Sequence, residues 1–438
     1  MFDDAAACAF MPPSAWEETP VSSELRGLAV REISAVLPGR ADDLARLQLI
    51  ADDGAHVIAV VGKYNHGKSS LLNELLGQQA FAVSDKRETV ALAHRVEHGV
   101  RWLDAPGLDA DVASEDDRRA FEALWLHADI RLFVHAAKEG ELDARERALL
   151  TELLADSERS ARQTLCVLTQ ADQVEDDGEL ATIRTALQAQ CDGTVWHDVS
   201  STRHCKGQEG GKALLVERSG IPALRALLET ALDQVPQART HEATLLSDEI
   251  RVALDEHRAA QAALLDSLCT KQQTQRAAFD RGLKAVIDKS AVDVETMLDA
   301  LGTDHTIVPD TAKDRYASTA GKRERAHIQI AYSRACIAID GFLVGHGVME
   351  LPSEQRTTAS SINSVMIAVL GISVKFRKDL RQMFCEAAGH ERLLTNFTHY
   401  YELSAARTAI AQHIVDVRAA LTAVDSALSA LKTLVARP

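Results

Sequence analysis

The run GKYNHGKS at residues 62–69 constrains the fold of this chain more than any other feature. It follows an apolar hexapeptide, HVIAVV at 56–61, and opens into SLLNELLG, whose leucines recur at helical spacing. A strand, a glycine loop and a helix in that order make a phosphate cradle. Gly62 and Gly67 let the backbone turn tightly and aim successive N–H groups inward. Lys68 adds a point charge at the β- and γ-phosphates, and Ser69 offers a hydroxyl to Mg²⁺. The helix that starts there turns its positive end to the same oxygens. Gly62, Asn65, His66, Gly67, Lys68, Ser69 and Ser70 are the expected contacts.

Three further signals follow in order. WLDAPG, 102–107, ends a short strand with Asp104, whose carboxylate can hold Mg²⁺ through water, while the Gly107 N–H can reach the γ-phosphate. LCVLTQAD, 165–172, is an apolar strand ending in Asp172, and TVWHDV, 194–199, is a third strand that leads into Ser200 and Ser201. Between the first helix and ALAHRV stands a single threonine, Thr89. By elimination it is the candidate to join Ser69 and Asp104 at Mg²⁺ and to sense the γ-phosphate; its plainer reading is a loop threonine.

At this point the chain resembles the translation-factor-class P-loop GTPases, which implies GTP or GDP with Mg²⁺ as ligands. In that family a third motif reads [NT]-K-x-D, and its aspartate accepts hydrogen bonds from guanine N1 and N2. Asp172 matches that aspartate and Thr169 the first position, while Gln170 departs from the usual lysine. Ser200 and Ser201 stand where a backbone N–H reads guanine O6. Leu108 follows DAPG, so no glutamine orients water there. Asn65 matches an asparagine that coordinates K⁺ in some relatives, and a K⁺ would supply fixed positive charge to the transition state. Lys86 and Arg87 are the other local sources of that charge; the bland reading of all three is a solvated loop. The catalytic set on this reading is Lys68, Asn65, Thr89 and Gly107.

At 438 residues the chain is long enough for two to three domains. Aromatic residues are only 4% while Ala and Leu are abundant, which leans towards helices. A net charge of −16 argues against nucleic-acid binding over the whole surface. Seven scattered cysteines without a C-x-x-C pair fit reduced thiols in a cytosol, and His204-Cys205 falls short of a zinc site. The first 18 residues are acidic, with no Lys or Arg before Arg26, so a loose arm is expected and not a signal peptide. No run of 18 apolar residues exists, so no spanning helix is expected.

The expected architecture is an α/β P-loop GTPase domain, with a mostly parallel sheet and helices on both faces, plus an all-α helical bundle or stalk. Residues 1–50 hold an arm and helices that pack on the bundle. In the first of these, Leu25, Leu28, Ile33 and Val36 form one stripe, and Pro38-Gly39 ends it. Residues 51–235 form the GTPase domain, with strands at 56–61, 90–96, 100–104, 130–136, 164–169 and 194–199, a hairpin at His98-Gly99 and a last helix at 219–232. Residues 236–438 form the bundle, beginning with a long helix over about 240–300. In its final helix Ile410, Ile414, Val417, Leu421, Val424, Leu428, Leu431 and Val435 make a heptad seam.

Residues 303–400 are the expected tip. One basic cluster spans 313–334, with Lys313, Arg315, Lys322, Arg323, Arg325 and Arg334. A second spans 365–381, where an apolar run at 365–372 precedes Lys375, Arg377, Lys378 and Arg381. Such a segment either lies in an anionic membrane interface or is a core helix with solvated basic ends.

The loop text YNHGKSSLLNELLG followed by a helical half resembles the bacterial dynamin-like proteins. That resemblance implies GTP-driven pairing of GTPase domains, a helical stalk and a membrane-facing tip, in a cytoplasmic protein that meets membranes peripherally. Two alternatives stay open. The loop and DAPG also resemble ribosome-assembly GTPases, whose appended domain would bind RNA. A GTP-gated scaffold for a protein partner, with little turnover, is the other.

Overall fold

The computed structural model describes residues 23–81, 93–105, 122–309, 311 and 316–436. The chain forms two compact units, one made of residues 1–256 with 423–438 and the other of 257–422.

The first unit opens with helices α1 (Ser23–Val36) and α2 (Ala41–Ala51), then strand β1 (His56–Val61), helix α3 (Lys68–Leu76) and strands β2 (Ala93–Glu97) and β3 (Val100–Asp104). A π-helical turn at Glu122–His127 leads to β4 (Ile130–Ala136), α4 (Ala144–Ser160), β5 (Gln163–Thr169), α5 (Asp177–Gln190), β6 (Trp196–Asp198), α6 (Ser201–Glu209), α7 (Ala213–Glu217) and the long α8 (Ile221–Asp299). The six strands lie in the order β2-β3-β1-β4-β5-β6. Among the described strands only the β2–β3 pair is antiparallel, and it closes at His98-Gly99 as expected.

Side chains alternate across a strand, so β1 feeds both faces of the sheet. Val57, Ala59 and Val61 pack with Leu150 and Leu153 of α4 and Leu180 and Leu187 of α5. Ile58 and Val60 pack with Leu71, Leu72 and Leu75 of α3 and Ile221, Leu224 and Leu228 of α8. Covered on both sides, β1 and β4 are buried along nearly their whole length, β4 with Arg131 and His135 among its apolar residues. Each fully buried aliphatic side chain contributes about 1.5–3 kcal/mol.

At the N-terminal end of β4 the sheet meets α2 and α8 through buried ions. Arg239 and Arg46 both bond Asp129, Arg46 and Arg162 both bond Glu242, and Arg162 and Arg131 both bond Asp156. Arg239 and Glu242 lie just past Pro236, which is carried inside α8. One helix over 221–299 therefore replaces the two expected over 219–232 and 240–300. A proline costs a helix one N–H bond, and the side chains around it are anchored: Val235 is buried in the sheet's core, Arg239 and Glu242 in the ion network.

The last helix, α13 (Ala405–Val435), contributes residues to both units. In the first unit its seam residues Val424 and Leu431, with Ala427, Ala430 and Leu434, pack with Ala29, Ile33, Leu44, Leu47, Leu246, Ile250 and Leu254. The expected stripe of α1 shifts: Ile33 is buried as expected, but Leu25 and Leu28 are half exposed and Ala29 is buried in their place. Arg26 takes the inward position, bonding the Ala51 carbonyl and Asp52, with the Ala436 carbonyl at 3.4 Å.

The second unit adds α9 (Ala320–Gly345), α10 (Val365–Leu370), α11 (Arg377–Phe384) and α12 (Ala387–Glu402). Its core includes Phe279, Ile328, Tyr332, Ile339, Leu343, Phe384 and Phe397, and Phe279 stacks on Tyr401 at 3.9 Å between ring centroids. Val365, Met366, Leu370 and Val374 are buried in that core, so most of the apolar run at 365–372 is packing, with Ile372 exposed at its end. Arg377 is spent on Glu324 and the carbonyls of Leu301, Gly302 and Thr303, and Arg381 on Asp299. Lys313 and Arg315 lie outside the described residues.

Among the described residues α9 is long and apolar enough to cross a membrane by length and composition alone, a test that a buried core helix also passes. Its charges cluster early, leaving an apolar remainder. One face packs in the core, and the other carries Arg323, Ile330, Arg334, Ile337 and Val344, all exposed.

Candidate functional site

The phosphate loop sits at the C-terminal edge of the sheet. A Cβ on Gly62 would lie 2.1 Å from the Val134 carbonyl oxygen, so only glycine lets β1 pass β4 at that point. Asn65 (φ 60°) and Gly67 (φ 78°) then take left-handed conformations and release the chain into α3. Lys68 is buried, and its Nζ donates to the carbonyls of Gly62 and Lys63, both at 2.9 Å. The ammonium is thereby pinned across the mouth of its own loop.

Parallel pairing of β1 with β3 sets Asp104 beside Val60, within reach of the loop. Ser69 Oγ donates to Asp104 Oδ2 at 2.6 Å, while Oδ1 is buried with no hydrogen-bond partner. Burial pushes the Asp104 carboxyl above its usual range, and Ser69 and the Lys68 charge oppose it. A serine hydroxyl facing a buried carboxylate with an orphaned oxygen is a donor set that fits a hydrated Mg²⁺. Thr89 and Gly107, with Lys86, Arg87 and Leu108, lie outside the described residues.

The expected base-reading strand also braces the loop. Thr169 Oγ1 donates to the His66 carbonyl at 2.6 Å and reaches the His135 carbonyl at 3.1 Å. Gln170, left-handed at φ 57°, donates from Nε2 to the Asn65 carbonyl at 2.7 Å. A lysine ammonium could donate to the same carbonyl, so the glutamine keeps a donor on the loop without the charge. Asp172 Oδ1 accepts from Ser200 Oγ at 2.6 Å, and Ser200 caps α6 by accepting the Arg203 N–H. The Ser200 N–H is committed to the Ser219 carbonyl. A base carbonyl would instead meet the amide of Ser201, in the first turn of α6, where amides have no intrahelical acceptor. Ser70 follows Ser69 in the first turn of α3.

His66 also has a role through its side chain. Its ring turns into the interior and meets His135, at the end of β4, and Glu146, in the first turn of α4. Burial pushes His66 down to about 4. Burial pushes the Glu146 carboxyl up, but the neighbouring His135 and the Asp143 N–H bring it below its usual range. These three positions are far apart in sequence, and nothing local in the sequence joins them.

Residues 57–170 match the family model described as 50S ribosome-binding GTPase. The chain is 48% identical over 404 residues to the uncharacterized protein ACIAD1443 of Acinetobacter baylyi, covering 92% of this chain and 96% of that protein. It is 39% identical over 103 residues to GTPase Era of Acidimicrobium ferrooxidans, spanning 22% of this chain and 36% of Era. A solved oligomerised bacterial dynamin pair aligns over 94% of this chain and 78% of its own, at 12% identity and a TM-score of 0.36.

Proposed function

We propose, given that this chain belongs to the same family as the Acinetobacter baylyi protein ACIAD1443 and carries a P-loop GTPase domain, that it hydrolyses GTP and couples the cycle to an anionic membrane surface. The observation that carries the nucleotide half is the Ser69–Asp104 pair beside the pinned Lys68 ammonium. Mg²⁺ held by Ser69 and, through water, by Asp104 supplies positive charge at the phosphate oxygens. Lys68 neutralises the same oxygens, and loop N–H groups orient them. Asp172 reads the guanine edge, with the Ser201 amide at its carbonyl. Asn65 would hold a K⁺ that supplies fixed positive charge to the transition state, and Thr89 and Gly107, the expected γ-phosphate contacts, lie outside the described residues.

The membrane half rests on the exposed face of α9, where Ile330, Ile337 and Val344 alternate with Arg323 and Arg334. Apolar groups between cations suit an anionic lipid interface. GTPase-domain pairing in a second copy of the chain is the expected response to GTP. The test is steady-state GTP hydrolysis against protein concentration, in K⁺ and in Na⁺ buffer, with and without anionic liposomes. Rate per molecule that climbs with concentration and again with liposomes supports the reading. A slow rate indifferent to both removes the membrane coupling.

A ribosomal or RNA partner is the second reading, favoured by the description of the family model over 57–170. The net charge of −16 weighs against it, and rRNA-dependent binding that falls with salt would establish it.

A further inference from the structure

Beneath the phosphate loop, His66, His135 and Glu146 form a closed polar cluster in an apolar setting, with 4%, 0% and 1% of their surfaces exposed. Their ligand atoms all lie within 4.8 Å of one another. The His135 Nε2 faces the Gly140 carbonyl oxygen at 3.2 Å. A carbonyl only accepts, so that nitrogen carries the ring proton. The neutral ring then turns the Nδ1 lone pair on Glu146 Oε1, 3.0 Å away.

Glu146 is an anion in this place. Its Oε2 accepts the Asp143 N–H at 3.1 Å and pairs with Lys63 Nζ at 3.2 Å. Two lone pairs facing each other at 3.0 Å need a cation between them. His66 Nδ1 makes the same demand. It is buried, has no hydrogen-bond partner, and stands 3.5 Å from the same Glu146 Oε1. One proton on His135 would relieve the first contact and leave His66 Nδ1 bare. One divalent ion satisfies all three atoms.

We propose that His66, His135 and Glu146 form a binding site for a zinc-class transition metal ion, distinct from the Mg²⁺ position at Ser69 and Asp104. Two imidazoles and a carboxylate are a common zinc donor set, with water free to take a fourth position. Tetrahedral bonds of roughly 2.0–2.1 Å put ligand atoms about 3.4 Å apart; the two separations from Glu146 Oε1, 3.0 and 3.5 Å, bracket that value, and the two histidine nitrogens lie within 4.8 Å of each other. The outer contacts fit as well. Gly140 holds the second nitrogen of His135, and Asp143 and Lys63 hold the second oxygen of Glu146, as supporting groups do around metal ligands. Because His66 directly precedes Gly67, an ion there ties the phosphate loop to β4 and α4. This inference does not depend on the identity of the nucleotide.

The test uses the full chain, stripped with chelator and free of nucleotide and Mg²⁺, titrated with Zn²⁺ or Co²⁺ alone. The expected result is one tight equivalent per chain in the wild type and in Asp104→Asn, lost in His66→Val and His135→Gln with circular dichroism unchanged. X-ray absorption of the zinc-loaded wild type, which needs no variant, should show nitrogen and oxygen neighbours and no sulfur. A folded wild type that takes up no metal, sulfur in the first shell, or full binding by a folded His66→Val protein would each overturn the site.

Discussion

Arg46 and Glu242 meet as a buried two-pronged pair, Nε to Oε1 at 3.1 Å and Nη2 to Oε2 at 2.8 Å, joining α2 to α8. The same guanidinium bonds Asp129 at 3.0 Å and the carbonyls of Leu126 and His127, so it ties the N-terminal helices to the base of the sheet. Removing Glu242 leaves Arg46, Arg239, Arg162 and Arg131 to share Asp129 and Asp156, an excess of buried positive charge. Glu242→Ala is expected to cost about 3–5 kcal/mol by urea unfolding. Replacing Arg46 and Glu242 together with apolar residues of similar volume should recover most of that loss. A double variant as unstable as the single one would refute this account.

The Asp129 carboxylate carries a pH signature. Burial pushes it up, but the hydrogen bond from Arg239, the Arg46 charge and the Val57 N–H outweigh that and hold it below its ordinary 3.8. A carboxylate depressed in the folded state stabilises above its unfolded value and loses that contribution as pH falls through the folded one. The stability gap between wild type and Asp129→Asn is therefore expected to be full at neutral pH. It should begin to close below about pH 4. Denaturant midpoints from pH 7 to pH 2 measure it, and a constant gap would be inconsistent with the ion pair.

Lys68→Ala should reduce GTP affinity by roughly 100-fold or more, the scale of losing charge-assisted contacts to phosphate. Isothermal titration reads this directly. Retained affinity would mean that the ammonium held by Gly62 and Lys63 does not face the nucleotide.

Asp172→Asn should weaken GTP and favour xanthine nucleotide, because an amide donates where xanthine offers a carbonyl. The Ser200 hydroxyl that now donates to Asp172 can still donate to the amide oxygen, so the cap of α6 should survive. Competition between the two nucleotides gives the answer, and an unchanged preference would remove Asp172 as the guanine reader.

Ile337 is 71% exposed at the centre of the free face of α9. Ile337→Glu should lower sedimentation with anionic liposomes several-fold while leaving basal hydrolysis unchanged, since apolar area is lost and a charge repelled by the anionic surface is added. Equal sedimentation would show that this face does not meet lipid.

Local pattern made the nucleotide half legible in advance. GKYNHGKS between an apolar strand and a helix specifies its own conformation, since left-handed turns, a buried strand and a helix start are short-range properties of those residues. The six strands and the hairpin at His98-Gly99 follow from the same alternation and turn chemistry. What the sequence could not show depends on which distant surfaces meet. Pro236 reads as a boundary until Arg239 and Glu242 are seen anchored in the ion network beyond it. The run at 365–372 reads equally as membrane contact or core until Val365, Met366 and Leu370 are found packed. Gln170 looks like a defect in a base-reading motif until its amide is seen on the Asn65 carbonyl. His66, His135 and Glu146 share no spacing; only the closing of α4 over β4 and the phosphate loop brings their lone pairs to one point, because burial and charge convergence are properties of the packed chain.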